Sequence, residues 1–378
     1  MPTPPDEQRD GLRIATVAGI PVFIGRSWVI LAVVIVALVG PGIAQQRPDL
    51  GALAYGVGFL YAIALLVAVL VHEAAHAVTA RLFGHEVHRV VADLWGGHTT
   101  YDPSRGAPGS AAAIAVVGPL SNGLLGVLAF ALLPVVPEGV LAGLVGAFAF
   151  VNVLLAVFNL LPGLPLDGGQ LVEAGVWKVT GSRPRARVVA GWCGRVVAAL
   201  VVLWAIGLPL LSGARPDLFR VVWTVLIAGF LWQGASAAVH AGTSLGVLAR
   251  VDPRQVIRPA QPLSERAPLA DIDRLDTSRA VPVVVDGRGL PIALLSGAAL
   301  DGVPAELRER TPVSAVMARQ APDLVVALDG DPQDDLVTLV RAFQTSRLQL
   351  VAVTRQGRLA GVVSVQELGA ALESADGR

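Results

Sequence analysis

A helix needs about 20 mainly apolar residues to cross the hydrocarbon core of a bilayer. Six stretches of this chain meet or approach that length: 27–46, 51–80, 107–133, 139–161, 196–214 and 221–245. Inside lipid no water is present to satisfy a bare backbone N–H or C=O, so such stretches predict helices rather than open strands or loops. Pro41 and Gly42 interrupt the first stretch, and Pro209 should kink or end the fifth near its far side. The composition agrees: 54% of residues are hydrophobic and 15% are charged, with a mean hydropathy of +0.64. The expected fold is therefore a polytopic α-helical membrane protein with six transmembrane helices. A formal net charge of zero gives no electrostatic support for a nucleic-acid partner. The one cysteine, Cys193, rules out an intrachain disulfide and a cysteine-built zinc site. The polar N-terminus has no short apolar core ahead of a cleavage site, so no removable signal peptide is expected.

The positive charges orient the spans. With the N-terminus in the cytoplasm, the inner segments carry Arg9, Arg13 and Arg26, then Arg81, Arg89 and Arg105, then Lys178, Arg183, Arg185 and Arg187. The outer loops carry only Arg47, Arg215 and Arg220. Six crossings return the C-terminus to the cytoplasm, so a multi-pass cell-membrane protein with both termini inside is expected. Past residue 250, Pro253, Pro259, Pro262 and Pro268 make a linker and charges become frequent. This shift predicts a membrane domain over 1–249 and a cytoplasmic domain over 250–378.

Within the second stretch, residues 66–80 read LVAVLVHEAAHAVTA. Ionisable groups at membrane depth are expensive and mark function by default. On a helix, His72 and His76 stand one turn apart on one face, so both imidazoles can point at one metal ion, with Glu73 beside them. This H-E-x-x-H spacing suits a zinc peptidase, in which zinc lowers the pKa of bound water to about 7 and the glutamate acts as general base. Two histidines leave zinc one protein ligand short. The fourth stretch runs into FNLLPGLPLDGGQLV (158–172), a Pro- and Gly-broken segment with one carboxylate, Asp167. Broken backbone is tolerated in a bilayer where it lines a protein cavity. His76 and Asp167 both lie on approaches to the cytoplasmic side, which puts them at similar depth. Capping of a helix that begins near Gly168 is the other reading of Asp167.

H-E-x-x-H in one span and N-L-L-P-x-x-P-L-D-G after a later one resemble the site-2 protease family of intramembrane zinc metalloproteases. The resemblance implies one zinc per chain, held by His72, His76 and Asp167, with Glu73 as catalytic base. It also places Asn159 at the family asparagine that supports substrate or oxyanion binding; a helix–helix hydrogen bond is the equal alternative. VADLWGGHTTYD (91–102) resembles the β-hairpin that the family dips into the membrane after the zinc helix. His98 there reads as a surface residue rather than a fourth ligand. GPLSNGLLG (118–126) resembles a family segment of the third span, with Asn122 in helix packing at the border of the site. His85 and His88 are expected in solvent, and His240 packed and hydrogen-bonded within the sixth span.

In the C-terminal part, AVPVVVDGRGLPIALLSGAAL (280–300) and QLVAVTRQGRLAGVVSVQEL (349–368) each read strand, turn, strand, helix start. They resemble a tandem pair of CBS domains, an α/β fold found C-terminal in one branch of the site-2 protease family. A Ser/Thr-x-x-Asp near the last helix would bind adenine-nucleotide ribose. Here Ser364 precedes Glu367 and Ser296 precedes Ala299, so the acid is missing or changed in both copies, and protein interaction or a homodimer through the CBS domains stands as an equal alternative to an adenine nucleotide.

The resemblance implies hydrolysis of a peptide bond within or near a transmembrane helix that must first unwind. A membrane-tethered regulator such as an anti-sigma factor is the implied partner. A CBS-regulated transporter would need broken half-helices in repeated pairs, and only one broken segment is visible. A catalytically silent scaffold should have lost Glu73 or a ligand.

Overall fold

A computed structural model describes residues 11–17, 19–93, 96–101, 106–276, 279–295, 302–317, 325–330, 332–346 and 348–376. The chain divides into two units, Met1–Thr243 and Ser244–Arg378. Among the described residues, six helical segments are long and apolar enough to cross a membrane. They are α1 (Trp28–Gln46), α2 (Leu53–Leu82), α3 (Pro108–Leu132), α4 (Val140–Asn159), α6 (Arg183–Val202, extended below) and α8 (Leu218–Leu248). The shorter α5 (Asp167–Thr180) follows the broken segment after α4. Large apolar side chains such as Val33, Leu124, Phe150 and Leu200 stand more than half exposed on these helices, as lipid-facing surfaces require.

The fold keeps one of the sequence expectations and corrects another. Helix α1 continues through Pro41 to Gln46. Its Gly40 packs on the Tyr55 ring of α2, and a neighbouring helix that holds the backbone makes an internal proline tolerable in a membrane. The fifth span starts at Arg183 rather than near residue 196, with Pro184 in its first turn, where a missing N–H costs nothing. The hydropathy signal hides this start because the first turns are cationic. Near Pro209 the helix passes through a π-helical turn (Leu203–Gly207) into α7 (Leu208–Leu211) and ends.

A four-stranded sheet lies against the second helix. Its order is β1 (Leu12–Val17), β2 (Ile20–Ile24), β3 (Val87–Asp93) and β4 (Gly96–Tyr101). β1–β2 and β3–β4 are antiparallel, while β2 and β3 run parallel. The β3–β4 hairpin overlaps the stretch 91–102 read as one, with β3 beginning four residues earlier at Val87. The N-terminal hairpin is not visible in the sequence, because β1 is exposed along its whole length. It is stabilised by distant partners: Ile20 and Val22 pack with Ala77 of α2 and Val90 of β3.

The C-terminal unit repeats one topology. β5 (Ala260–Ser264) pairs parallel with β6 (Val281–Val285), which pairs antiparallel with β7 (Pro291–Leu294). β8 (Val325–Ala327), β9 (Leu350–Arg355) and β10 (Arg358–Ser364) do the same. Helices Pro332–Thr345 and Val365–Asp376 cover the second sheet. Val283, Ala352 and Val362 form a core shared by the two sheets. The sparse stretch before the first block supplies β5 and the short helix Ala270–Asp273. Ser364 hydroxyl oxygen accepts from Glu367 N–H (3.1 Å) and its O–H donates to the Glu367 carboxylate (2.8 Å), which caps the last helix. Ser296 and Ala299 lie outside the described residues.

Candidate metal centre

Helix α2 carries His72, Glu73 and His76 into the interior, each less than a tenth exposed. The opposite face of this helix presents Val67, Val71 and Val78, all more than a third exposed. The imidazoles are fixed by α3, which offers three positions one turn apart. Ile114 carbonyl accepts from His76 Nδ1 at 2.6 Å. Asn122 Oδ1 accepts from His72 Nδ1 at 3.1 Å. Between them Gly118 leaves room for both rings; a methyl there would lie 2.6 Å from His76 Cε1 and 2.7 Å from His72 Cε1. With each Nδ1 donating to an oxygen, each Nε2 keeps its lone pair free.

Asp167 arrives from the other side. After α4 the chain runs through Pro162–Gly163–Leu164–Pro165, and Leu164 N–H donates to the Ala190 carbonyl of α6 at 3.1 Å, so a broken backbone is satisfied by protein. Gly163 approaches Gly194 of α6 so closely that neither position leaves space for a side chain. Asp167 opens α5, and its Oδ1 accepts from Gln170 at 3.3 Å. Its Oδ2 stands 3.0 Å from His72 Nε2 and 3.4 Å from His76 Nε2, and the two Nε2 atoms are 3.0 Å apart. Asp167 Oδ2 is buried and has no hydrogen-bond donor among the described residues.

Three electron-pair donors thus converge, buried, with no proton donor assigned among them. That arrangement repels itself unless a cation lies between. Ligands about 2.0–2.1 Å from a tetrahedral zinc sit about 3.3 Å from each other, close to the three separations here. Among the described residues these three form a group that could hold a metal ion. Two nitrogens and one carboxylate oxygen are a zinc-compatible donor set.

Glu73 lies outside this trio. Thr99 Oγ1 of β4 donates to its Oε2 at 2.8 Å and also lies 3.1 Å from its carbonyl oxygen, and Gly97 packs directly on its side chain. A cavity of about 380 Å³ is lined by His72, Glu73, His76, Gly96, Gly97, Thr99, Asn159, Asp167 and Gln170, among others. Asn159, at the C-terminal end of α4, is half-buried at its edge. His98 borders the cavity with its side chain 55% exposed, 4.0 Å from Asp93. Thr99 and Gly118 were not singled out from the sequence; neither residue type signals a site unless its neighbours are known. Asn122 does more than pack, since it holds His72. His85 is buried rather than in solvent: the chain reverses at Gly84, φ 81°, and brings the next residue against the domain. His88 is exposed, and so is His240, on the outward face of α8 beside buried Val239.

The model of peptidase family M50 matches residues 135–204, which include the Asn159–Gly168 motif. This stretch is similar to peptidase family M50, the site-2 protease family. A candidate zinc metalloprotease of Mycobacterium tuberculosis, Rip3, is 36% identical over 236 residues, covering 60% of this chain and 58% of its own length. The chain thus spans about six tenths of the length of the curated relatives it matches. The solved structure of a site-2 protease from Methanocaldococcus jannaschii is 23% identical, covers 60% of this chain and 94% of its own, and has a TM-score of 0.43. The CBS domain of a membrane protein from Sphaerobacter thermophilus is 16% identical, covers 36% of this chain and 96% of its own, with a TM-score of 0.28. In the family M50 stretch, α4, the broken segment, α5 and α6 form the wall that delivers Asp167.

Proposed function

We propose that the membrane domain is an intramembrane zinc endopeptidase that cuts peptide bonds within or near transmembrane helices of membrane-tethered proteins. The observation that carries this reading is the buried meeting of His72 Nε2, His76 Nε2 and Asp167 Oδ2, with Glu73 beside it in one cavity. A zinc ion held by those three atoms supplies Lewis acidity, which polarises a peptide carbonyl and acidifies water. Glu73 accepts a proton from the attacking water and passes it to the departing amine. Thr99 keeps the Glu73 carboxylate oriented by donating to one oxygen, which leaves the other free for water. In this reading Asn159, at the cavity edge, holds a substrate carbonyl.

A helical substrate shields its peptide bonds with its own hydrogen bonds, so it must unwind before attack. β4 is the last strand of its sheet, and its outer edge can pair with an extended segment that leads past Gly96 and Gly97 into the cavity. Membrane-tethered regulators of the anti-sigma type fit as substrates. We place both termini in the cytoplasm, and we assign the C-terminal α/β pair, beyond the membrane domain, to regulation and self-association.

Two measurements test this. The purified full chain should hold about one zinc per molecule, and His76→Ala or Asp167→Ala should strip most of it; full retention in both variants removes them from the ligand set. Reporters inserted at 178–187 or after residue 378 should be cytoplasmic, and one at 134–138 should face outward. An outward C-terminus would overturn the orientation and, with it, the cytoplasmic regulatory role.

A further inference from the structure

Helix α6 carries a charge inside its apolar run. Gly191 and Gly194 bring α6 close to Ala235 and Val239 of α8, and this contact sets Arg195 beside Ser236, with Nε donating to Oγ at 3.2 Å. The guanidinium carbon lies 4.5 Å from the Trp192 ring and 5.5 Å from the Trp232 ring. Both rings are about half exposed, at 54% and 51%. One N–H is used by Ser236; the terminal amino groups have no acceptor among the described residues. Neither α6 nor α8 contains an aspartate or glutamate, so the charge has no counter-ion on the two helices that hold it.

Depth narrows the choice of partner. Arg195 stands 16 residues before Leu211, the far end of the span, or about 24 Å along a helix. The hydrocarbon core is about 30 Å thick, so with Leu211 at the far boundary the backbone of Arg195 lies about 6 Å inside the nearer one, and its side chain can extend to the interface. Tryptophan favours that boundary. Antiparallel to α6, α8 carries exposed His240 one turn beyond Ser236 towards the same boundary.

We propose that Arg195, framed by Trp192, Trp232 and Ser236, binds the phosphate of an anionic phospholipid at the membrane interface. The open amino groups donate to phosphate oxygens, for which a planar guanidinium is well matched, and the tryptophan rings pack along the glycerol and upper acyl chains. This site is separate from the metal centre and does not depend on the chain being a protease.

The test uses the full chain in nanodiscs of phosphatidylcholine with and without phosphatidylglycerol, followed by native mass spectrometry of the lipids it retains. The wild type should retain phosphatidylglycerol over phosphatidylcholine by about tenfold, because the choline ammonium of phosphatidylcholine neutralises its phosphate and is repelled by the Arg195 guanidinium. Arg195→Gln should lose that preference. Trp232→Ala, which keeps the charge and alters only a half-exposed ring, should lower it several-fold, so the proposal stays testable if Arg195→Gln fails to fold. Equal retention of the two lipids by the wild type overturns the proposal. So does a preference unchanged in Arg195→Gln or in Trp232→Ala. Displacement of the lipid by inorganic phosphate at equal concentration would also overturn it, because the site would then read a free anion.

Discussion

Glu73→Gln should lower cleavage of a transmembrane substrate by about 10²–10⁴-fold, the usual worth of a general base, while zinc content stays at the wild-type level. The substitution keeps the shape of the side chain. Its remaining oxygen can still accept from Thr99, now at 2.8 Å, so the tight packing of Gly97 against this residue need not change. Metal binding should survive because the converging donors are His72, His76 and Asp167. An inactive variant that still enters the unwinding step should also hold uncleaved substrate long enough for co-purification from proteoliposomes. Near-normal cleavage by Glu73→Gln would sink the general-base assignment. Loss of zinc together with activity would instead count against the placement of Glu73 outside the ligand set.

Gly118→Ala should damage the metal centre more than its size suggests. The new methyl would occupy the space of both imidazole edges, 2.6 Å from His76 Cε1 and 2.7 Å from His72 Cε1. Neither ring can yield freely, since Ile114 and Asn122 hold them from the same helix one turn away on each side. Altering groups that orient metal-ligating histidines costs about 10–100-fold in affinity, and displacing the rings should cost at least that. Alanine is about 1 kcal/mol better than glycine inside a helix, so α3 itself should not weaken. Gly123→Ala is the matched control, since its methyl would come no closer than 3.8 Å to Ala156 Cβ. Zinc competition against a graded chelator, with circular dichroism to follow helix content, separates the two variants. Wild-type zinc affinity in Gly118→Ala would show that the rings have more freedom than their hydrogen bonds imply.

The spans and the histidine pair were legible because their causes are local. Lipid leaves an apolar run of 20 residues little choice but a helix, and a spacing of four puts His72 and His76 on one face whatever surrounds them. Asp167 was legible as a residue of the right chemistry at the right depth. Its approach to 3.0 Å from His72 is a tertiary matter, set by the contact of Gly163 and Leu164 with α6. The first span runs to Gln46 as its apolar stretch implies, with Pro41 inside the helix, while the start of α6 at Arg183 was hidden by its cationic first turns.

Thr99 illustrates the limit in a strand. Successive side chains point to opposite faces, so the sequence HT at 98–99 says that one residue faces in and the other out, without saying which. Pairing with β3, Val91 opposite His98 and Val90 opposite Thr99, turns Thr99 to Glu73 and leaves His98 outside. In the same way, Gly118 and Asn122 are a small residue and an amide on a helix until the rotation of α3 aims them at α2. By itself the sequence determined six helices, a histidine pair on one helix face with its glutamate, and a repeated α/β tail. The tertiary structure decided which side of each element faces the others, because that choice depends on contacts between residues far apart in the chain.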